Sequence, residues 1–174
     1  MDRLTPEQRH KNMAAIKGFD TTPELVVRSF LWREGFRFRV NDKRLPGKPD
    51  IVLPLYHTAI FVHGCFWHAH DDCEFFRMPK SNVKFWTNKL QRNKSRDELV
   101  RKRLKLMGWN TMVVWECQLR GIRQRATLNS ISTLLHLNLL RVRGAVDKTY
   151  AIEEVPYSQA AESDENLYGR RNKE

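Results

Sequence analysis

Apolar positions recur along this chain in two rhythms, one every three to four residues and one every second residue, and together they predict an alternation of helices and strands. Thr5-Pro6-Glu7-Gln8 combines a capping threonine, a proline in the first turn and a capping-box glutamine, which predicts a helix running to about Gly18. Its surface residues Arg9, His10, Lys11 and Lys17 are basic. Thr22-Pro23-Glu24 opens a second helix in the same way, with Leu25, Val26, Phe30 and Leu31 as its apolar side and Gly35 as its stop. Phe36 to Val40 alternates aromatic residues with arginine, the pattern of a strand with one buried face. Leu45-Pro46-Gly47-Lys48-Pro49 is a turn leading into the strand Asp50-Ile51-Val52-Leu53, and Ala59 to His63 is the next strand. If residues 54–58 connect these two as a hairpin, Asp50 comes opposite Val62 and His63.

The helical rhythm returns from about Ser81 to Met107, with Trp86, Leu90, Val100, Leu104 and Met107 as its apolar positions and Gly108 at its end. Lys89, Asn93, Arg96 and Asp97 share a polar stripe on that helix. Trp109 to Trp115 then reads as a strand, and Ala126 to Leu140 as a last helix with Ile131, Leu134, Leu135 and Leu139 inward. The order β-β-β-α-β predicts an α/β fold, a mixed central sheet flanked by helices. Cys117, just past the last strand, reaches the loop after His63 only if that strand lies beside the hairpin.

Composition adds a partner. A chain of 174 residues with 41% hydrophobic content suits one compact domain, and a net charge of +11 attracts polyanions, nucleic acid first and anionic membrane second. Residues 145–174 carry seven acids and four bases, so residues 1–144 hold 27 bases against 13 acids. The body is thus more basic than the whole, and 1–143 is expected to be the folded domain with 144–174 a polar, flexible tail. No stretch approaches ~18 uninterrupted apolar residues, and the first residues lack the apolar core of a signal peptide, so a cytoplasmic protein with no membrane association is expected.

The densest chemistry lies in Gly64-Cys65-Phe66-Trp67-His68-Ala69-His70-Asp71-Asp72-Cys73. Three cysteines are too few for a disulfide framework, but Cys65, His70, Cys73 and Cys117 make a four-ligand set of the kind that closes a structural zinc site. Spacing prefers His70 as the imidazole, with His68 the alternative. Asp50, made rigid by the preceding proline, can hold a hard cation such as magnesium, helped by the Val62 carbonyl and by Glu24 through water. A histidine beside a metal-bound phosphate, His63 or His68, is suited to deprotonating an attacking water. Phe66 and Trp67, with Phe85 and Trp86, are either core residues or a wedge that unstacks base pairs, and Lys89 and Asn93 suit phosphate or base contacts.

These residues, together with Thr22-Pro23-Glu24, Leu45-Pro46-Gly47-Lys48-Pro49-Asp50, His63-Gly64-Cys65-Phe66-Trp67-His68, Phe85-Trp86 with Lys89, Asn93, Arg96 and Asp97, and Trp115-Glu116-Cys117, resemble the very short patch repair (Vsr) endonucleases over roughly residues 5 to 143. The resemblance implies a restriction-endonuclease-like fold and a magnesium-dependent nick on the 5′ side of the thymine in a T:G mismatch in double-stranded DNA. It implies Asp50 and Val62 as magnesium ligands, His68 as general base with Glu24 and His63 in support, and Cys65, His70, Cys73 and Cys117 as structural zinc ligands. Phe66, Trp67 and Trp86 match intercalating residues, and Lys89, Asn93 and Arg96 match DNA contacts. In that family such mismatches arise from deaminated 5-methylcytosine, which implies a functional link to a cytosine-5 DNA methyltransferase and a place on the bacterial nucleoid; a monomer is the default expectation for a small nicking enzyme. Where the wider superfamily carries an acid and a lysine on the second strand, this chain has Val62-His63-Gly64, so histidine takes the lysine's task. Two other readings are a zinc-stabilised DNA-binding module that does not cut, and a nicking enzyme of the same fold with another mismatch or sequence preference.

Overall fold

The computed structural model describes residues 5–15 and 18–144. Along the chain run α1 (Pro6–Ala14), α2 (Thr22–Arg33), β1 (Arg39–Val40), β2 (Ile51–Leu53), β3 (Thr58–His63), α3 (Val83–Leu106), β4 (Asn110–Trp115) and α4 (Arg123–Val142). The strands form one sheet in the order β1-β2-β3-β4, antiparallel through the first three and parallel between β3 and β4. The mixed α/β sheet is therefore the one the pattern predicts, and β4 does lie beside the hairpin. The expected tail over 144–174 falls, apart from Gly144, outside the described residues.

The period of two along β3 decides which side each helix covers. Ile60 joins Ile51, Leu53, Val27, Leu31, Leu128, Ile131 and Leu135 in the larger core, under α2 and α4. Ala59 and Phe61 face the other way and pack with Leu104 and Val100 of α3. His63 continues the Phe61 side, so the end of β3 delivers it toward α3. Gly47, at a φ of +75°, comes so near α3 that a Cβ there would stand 2.4 Å from a Val100 methyl.

Several boundaries differ from expectation for physical reasons. α1 ends at Ala14 rather than near Gly18. The first strand shrinks to Arg39–Val40, because Phe36 turns into the core and only two residues find partners on β2. The hairpin register pairs Ile51 with Ile60, so Asp50 runs toward Phe61 rather than directly opposite Val62 or His63. On α2 the buried stripe is Glu24, Val27, Arg28 and Leu31, while Leu25 is exposed. A pattern that sends only apolar side chains inward misses an inner face containing an ion pair. On α4 the same happens at Asn138, buried where its amide donates to Thr58 Oγ1 at 3.1 Å.

Candidate active site and metal centre

The buried pair on α2 organises the acidic side of the site. Glu24 stands at the third position of the helix, where its carboxylate accepts from the Asp20 and Thr21 N–H groups at 3.0 and 3.3 Å and from the Thr21 hydroxyl at 2.7 Å. Arg28, one turn on, donates to Glu24 Oε2 at 2.8 Å, to the Asp20 carboxylate, and to the Asp50 carbonyl at 3.3 Å. One guanidinium thus ties α2 to the entrance of β2, although its Nε has no hydrogen-bond partner among the described residues.

Asp50 projects its carboxylate to the adjacent strand, where Oδ2 accepts the Val62 N–H at 2.7 Å. The off-register pairing is what makes this contact: the main chain of Asp50 lies across from Phe61, and the side chain reaches one residue further. Burial pushes the carboxyl up to about 6, the Val62 N–H works against that, and the neighbouring Glu24 carboxylate adds repulsion. Arg28 and His68 pull it back down electrostatically. Two carboxylates that repel one another beside a strand end are a donor set for a hard divalent cation, which relieves the repulsion on binding.

His63 and His68 lie with their rings stacked, centroids 3.6 Å apart and planes within 11°. His68 Nδ1 is 2.5 Å from Asp97 Oδ2, so a helix residue 29 positions away fixes the ring. With Nδ1–H donated to a carboxylate, Nε2 is the basic nitrogen. His63 is buried and kept neutral: desolvation first, then the charge of His68, lower its pKa to about 3 against the opposing pull of Asp97. Burial raises the Asp97 carboxyl, but the His68 hydrogen bond and charge outweigh it and leave the group below its ordinary value. One ligand atom each of His63, His68 and Asp97 lies within 4.8 Å of the others, but His68 Nδ1 is already engaged with Asp97 Oδ2 at 2.5 Å. The trio suits a proton better than an ion.

Next to this trio, the ligand atoms of Cys65, His70, Cys73 and Cys117 all lie within 4.8 Å of one another. Cys65 ends the run from β3 and Cys117 the run from β4, and the parallel register of His63 with Trp115 brings the two together. The tight loop between them is closed by the His70 N–H donating to the Cys65 carbonyl at 3.0 Å, and it passes through left-handed backbone at Ala69 and Asp72. Cys117 Sγ stands 3.5 Å from His70 Nδ1. A tetrahedron with zinc–sulfur and zinc–nitrogen bonds of ~2.3 and ~2.1 Å has an edge of about 3.6 Å, so the donor set fits that ion. Of the two histidines left open by spacing, His70 joins the thiols, with its ring flat against Trp115 at 3.9 Å, and His68 turns to Asp97. Burial, together with the neighbouring Cys65 and Cys73, pushes the Cys117 thiol up to about 12.

The aromatic residues gather above the same loop. Phe66 lies 5.1 Å from Trp67 and 5.2 Å from Trp86, and the two indoles are 6.1 Å apart. All three are only partly buried. Lys89 Nζ sits 5.3 Å from both indole rings. Asn93 donates its amide to the Trp67 carbonyl at 2.8 Å, which holds the loop against α3, and exposed Arg96 leans on Asp97 at 3.4 Å. Two members of the site were not singled out by residue type in the sequence. Asp97 is one carboxylate of a charged helix, and its only signal is its place on the stripe with Asn93. Arg28 gave the signal of a helix Glu four residues before Arg, which is more often a solvated pair.

Comparison with known proteins supplies the family. The family model described as DNA mismatch endonuclease Vsr matches residues 1–74. The type II nicking enzyme V.XorIIP of Xanthomonas oryzae is 45% identical over 121 residues, 70% of this chain and 88% of the relative. V.NmeAIP, a type II nicking enzyme of Neisseria meningitidis, is 46% identical over 120 residues, 69% of this chain and 85% of its own length. The DNA mismatch endonuclease Vsr of Escherichia coli is 43% identical over 127 residues, 73% and 80% of the two chains. With likeness of this degree across most of each relative, the chain belongs to the Vsr family of DNA mismatch endonucleases.

Proposed function

We propose that this DNA endonuclease nicks one strand of a duplex on the 5′ side of the thymine in a T:G mismatch. The observation that carries the reading is the Asp97-oriented His68 on the same side of the sheet end as the half-buried Asp50 carboxylate, a base and a cation ligand that interact electrostatically. Asp50 and the Val62 carbonyl would hold magnesium, with Glu24 in support. The cation, when bound, supplies charge for the negative oxygens that develop as the phosphodiester opens.

The chain's own part is orientation and proton transfer. His68 Nε2 takes the proton of the attacking water, and Asp97 stabilises the resulting imidazolium through Nδ1. His63, neutral and stacked on His68, keeps the ring in plane without competing for the proton. Cys65, His70, Cys73 and Cys117 would bind zinc as a closed structural site that pins the loop. Phe66, Trp67 and Trp86 then enter the base stack beside the weak pair, an insertion that costs a few kcal/mol per step and is easiest at a mismatch. Lys89, Asn93 and Arg96 contact the opened groove.

In this reading the enzyme works as a monomer on the nucleoid, and a cytosine-5 DNA methyltransferase creates the sites whose deamination it answers. Relatives named as type II nicking enzymes support a cut confined to one strand. Purified protein with magnesium is incubated with labelled duplexes carrying one T:G pair, other mismatches, or none. A single nick 5′ of the mismatched thymine is expected. Tight binding of the T:G duplex with no cut in either strand would sink the proposal.

A further inference from the structure

The helix that carries Asp97 continues well past the site. On α3, Glu98, Arg101, Lys102 and Lys105 fall on one stripe, and it lines a cleft of about 530 Å³ whose other wall includes Arg141 from the last turn of α4. Trp109, stacked on His57 at 4.4 Å, forms a fixed floor. The cleft borders β4, which is the edge of the sheet. Glu98 is the one acid among those lining residues, and no carboxylate among the described residues pairs with Arg101, Lys102 or Lys105. Concentrated positive charge without internal partners is a surface set up for an external polyanion.

The stripe is also continuous with the active site. Arg96 and Arg101 both act electrostatically on His63, so the positive track starts at the histidine pair and runs along the helix. From Asn93 to Lys105 the helix rises ~18 Å, the length of about five base pairs of duplex. We infer that the Arg101–Lys102–Lys105 stripe and its cleft hold backbone phosphates of the DNA arm on one side of the mismatch, roughly five base pairs from it. The inference rests on the DNA-cutting reading above and adds to it a second, sequence-independent foothold. Phosphate contacts of this kind fix register on the duplex without reading bases.

The test measures binding of the full chain and of a Lys102→Ala/Lys105→Ala variant to T:G duplexes without divalent cation. One arm is held at twelve base pairs and the other is varied from three to twelve, for each arm in turn. For the unaltered protein, lengthening one particular arm past about five base pairs should tighten binding about tenfold. The variant should lose that gain while keeping its affinity for the short-armed duplex, and its log–log salt slope on the long duplex should fall by about 2, one condensed counterion per lost phosphate contact. Equal weakening at every arm length, or an unchanged gain in the variant, would overturn the assignment. Nicking of the same duplexes with magnesium restored tests the catalytic reading separately, since a protein that fails to cut can still show the arm dependence.

Discussion

Asp97 Oδ2 and His68 Nδ1 are 2.5 Å apart, joining the middle of α3 to the loop that follows β3. The contact leaves one imidazole nitrogen as acceptor and fixes the plane in which it points. Asp97 acts through His68, so it is a positioning residue, and its removal should show in turnover rather than in binding. For Asp97→Asn, kcat is expected to drop by about 100-fold or more with KM for a T:G duplex little changed. The acidic limb of the pH–rate profile, which reports the general base, should shift as well, and Asp97→Glu should recover part of the rate. Loss of affinity with unchanged kcat would assign Asp97 to DNA contact instead.

Asp50 and His68 make a sharper pair of tests. Asp50→Asn keeps the shape of a side chain whose charge is already costly to bury, so thermal stability should hold or rise while nicking falls to background. Calorimetric titration with magnesium should lose its high-affinity phase in this variant. His68→Ala should also abolish nicking but leave magnesium binding in place. Retained cutting by Asp50→Asn would remove the aspartate from the mechanism.

How far the sequence reaches can be judged from these same residues. Asp50, His63, His68 and the four zinc-type donors were readable because unusual residue types crowd into short segments beside a proline or a strand end. The mixed sheet followed from the element pattern, whereas the place of β4 was only a condition, since Cys117 could meet Cys65 only with β4 beside the hairpin, and the structure meets it. Asp97 and Arg28 were not readable as site members: each is one charge among many on its helix, and only packing shows which is turned inward. The one-residue offset between Asp50 and Val62 was hidden for a different reason. Register depends on the 3-10 turn Pro54–Tyr56 and on His57 in left-handed backbone, a turn with no glycine to announce it.

The approach to Asp50 should be sensitive to a single methyl. Gly47 combines a φ of +75° with a Cβ position 2.4 Å from Val100 Cγ1, so Gly47→Ala meets both left-handed strain and a clash with α3. A loss of about 2–5 kcal/mol is expected in urea unfolding, from roughly 1–2 for the backbone and 1–3 for overpacking. In a double-mutant cycle Val100→Ala should return the packing share and leave the backbone share. A purely additive cycle would mean that the loop moves aside at no cost.

Zinc removal should act on the fold before it acts on the chemistry. Cys65, Cys73 and Cys117 bring their sulfurs together with His70 at the junction of β3, β4 and the aromatic loop, and without an ion the buried thiols stay protonated. Cys117→Ser is expected to purify with less than one zinc per chain, to unfold at lower temperature, and to lose nicking in proportion to the folded fraction. Elemental analysis of the unaltered protein should find one zinc per chain. A folded, fully active protein without zinc would leave the cluster as three packed thiols.

Acid should weaken the fold through His63, and the sign follows from its burial. An exposed histidine in the unfolded chain protonates near ~6.5, whereas His63 in the folded protein holds out to about 3. Between these values the unfolded state binds more protons, so stability is full above the unfolded pKa and declines as pH falls through the window toward the folded one. The slope from this one group is on the order of 1 kcal/mol per pH unit, and it ends once His63 itself protonates. Loss of zinc at low pH acts in the same direction, so the comparison must be between proteins. His63→Gln, which keeps a polar side chain but cannot titrate, should show a flatter fall in urea midpoint from pH 7 to 5 than the unaltered chain. Parallel curves for the two proteins would mean that His63 takes up its proton in the fold at the same pH as in the unfolded chain and that the neutral partner assigned to His68 is wrong.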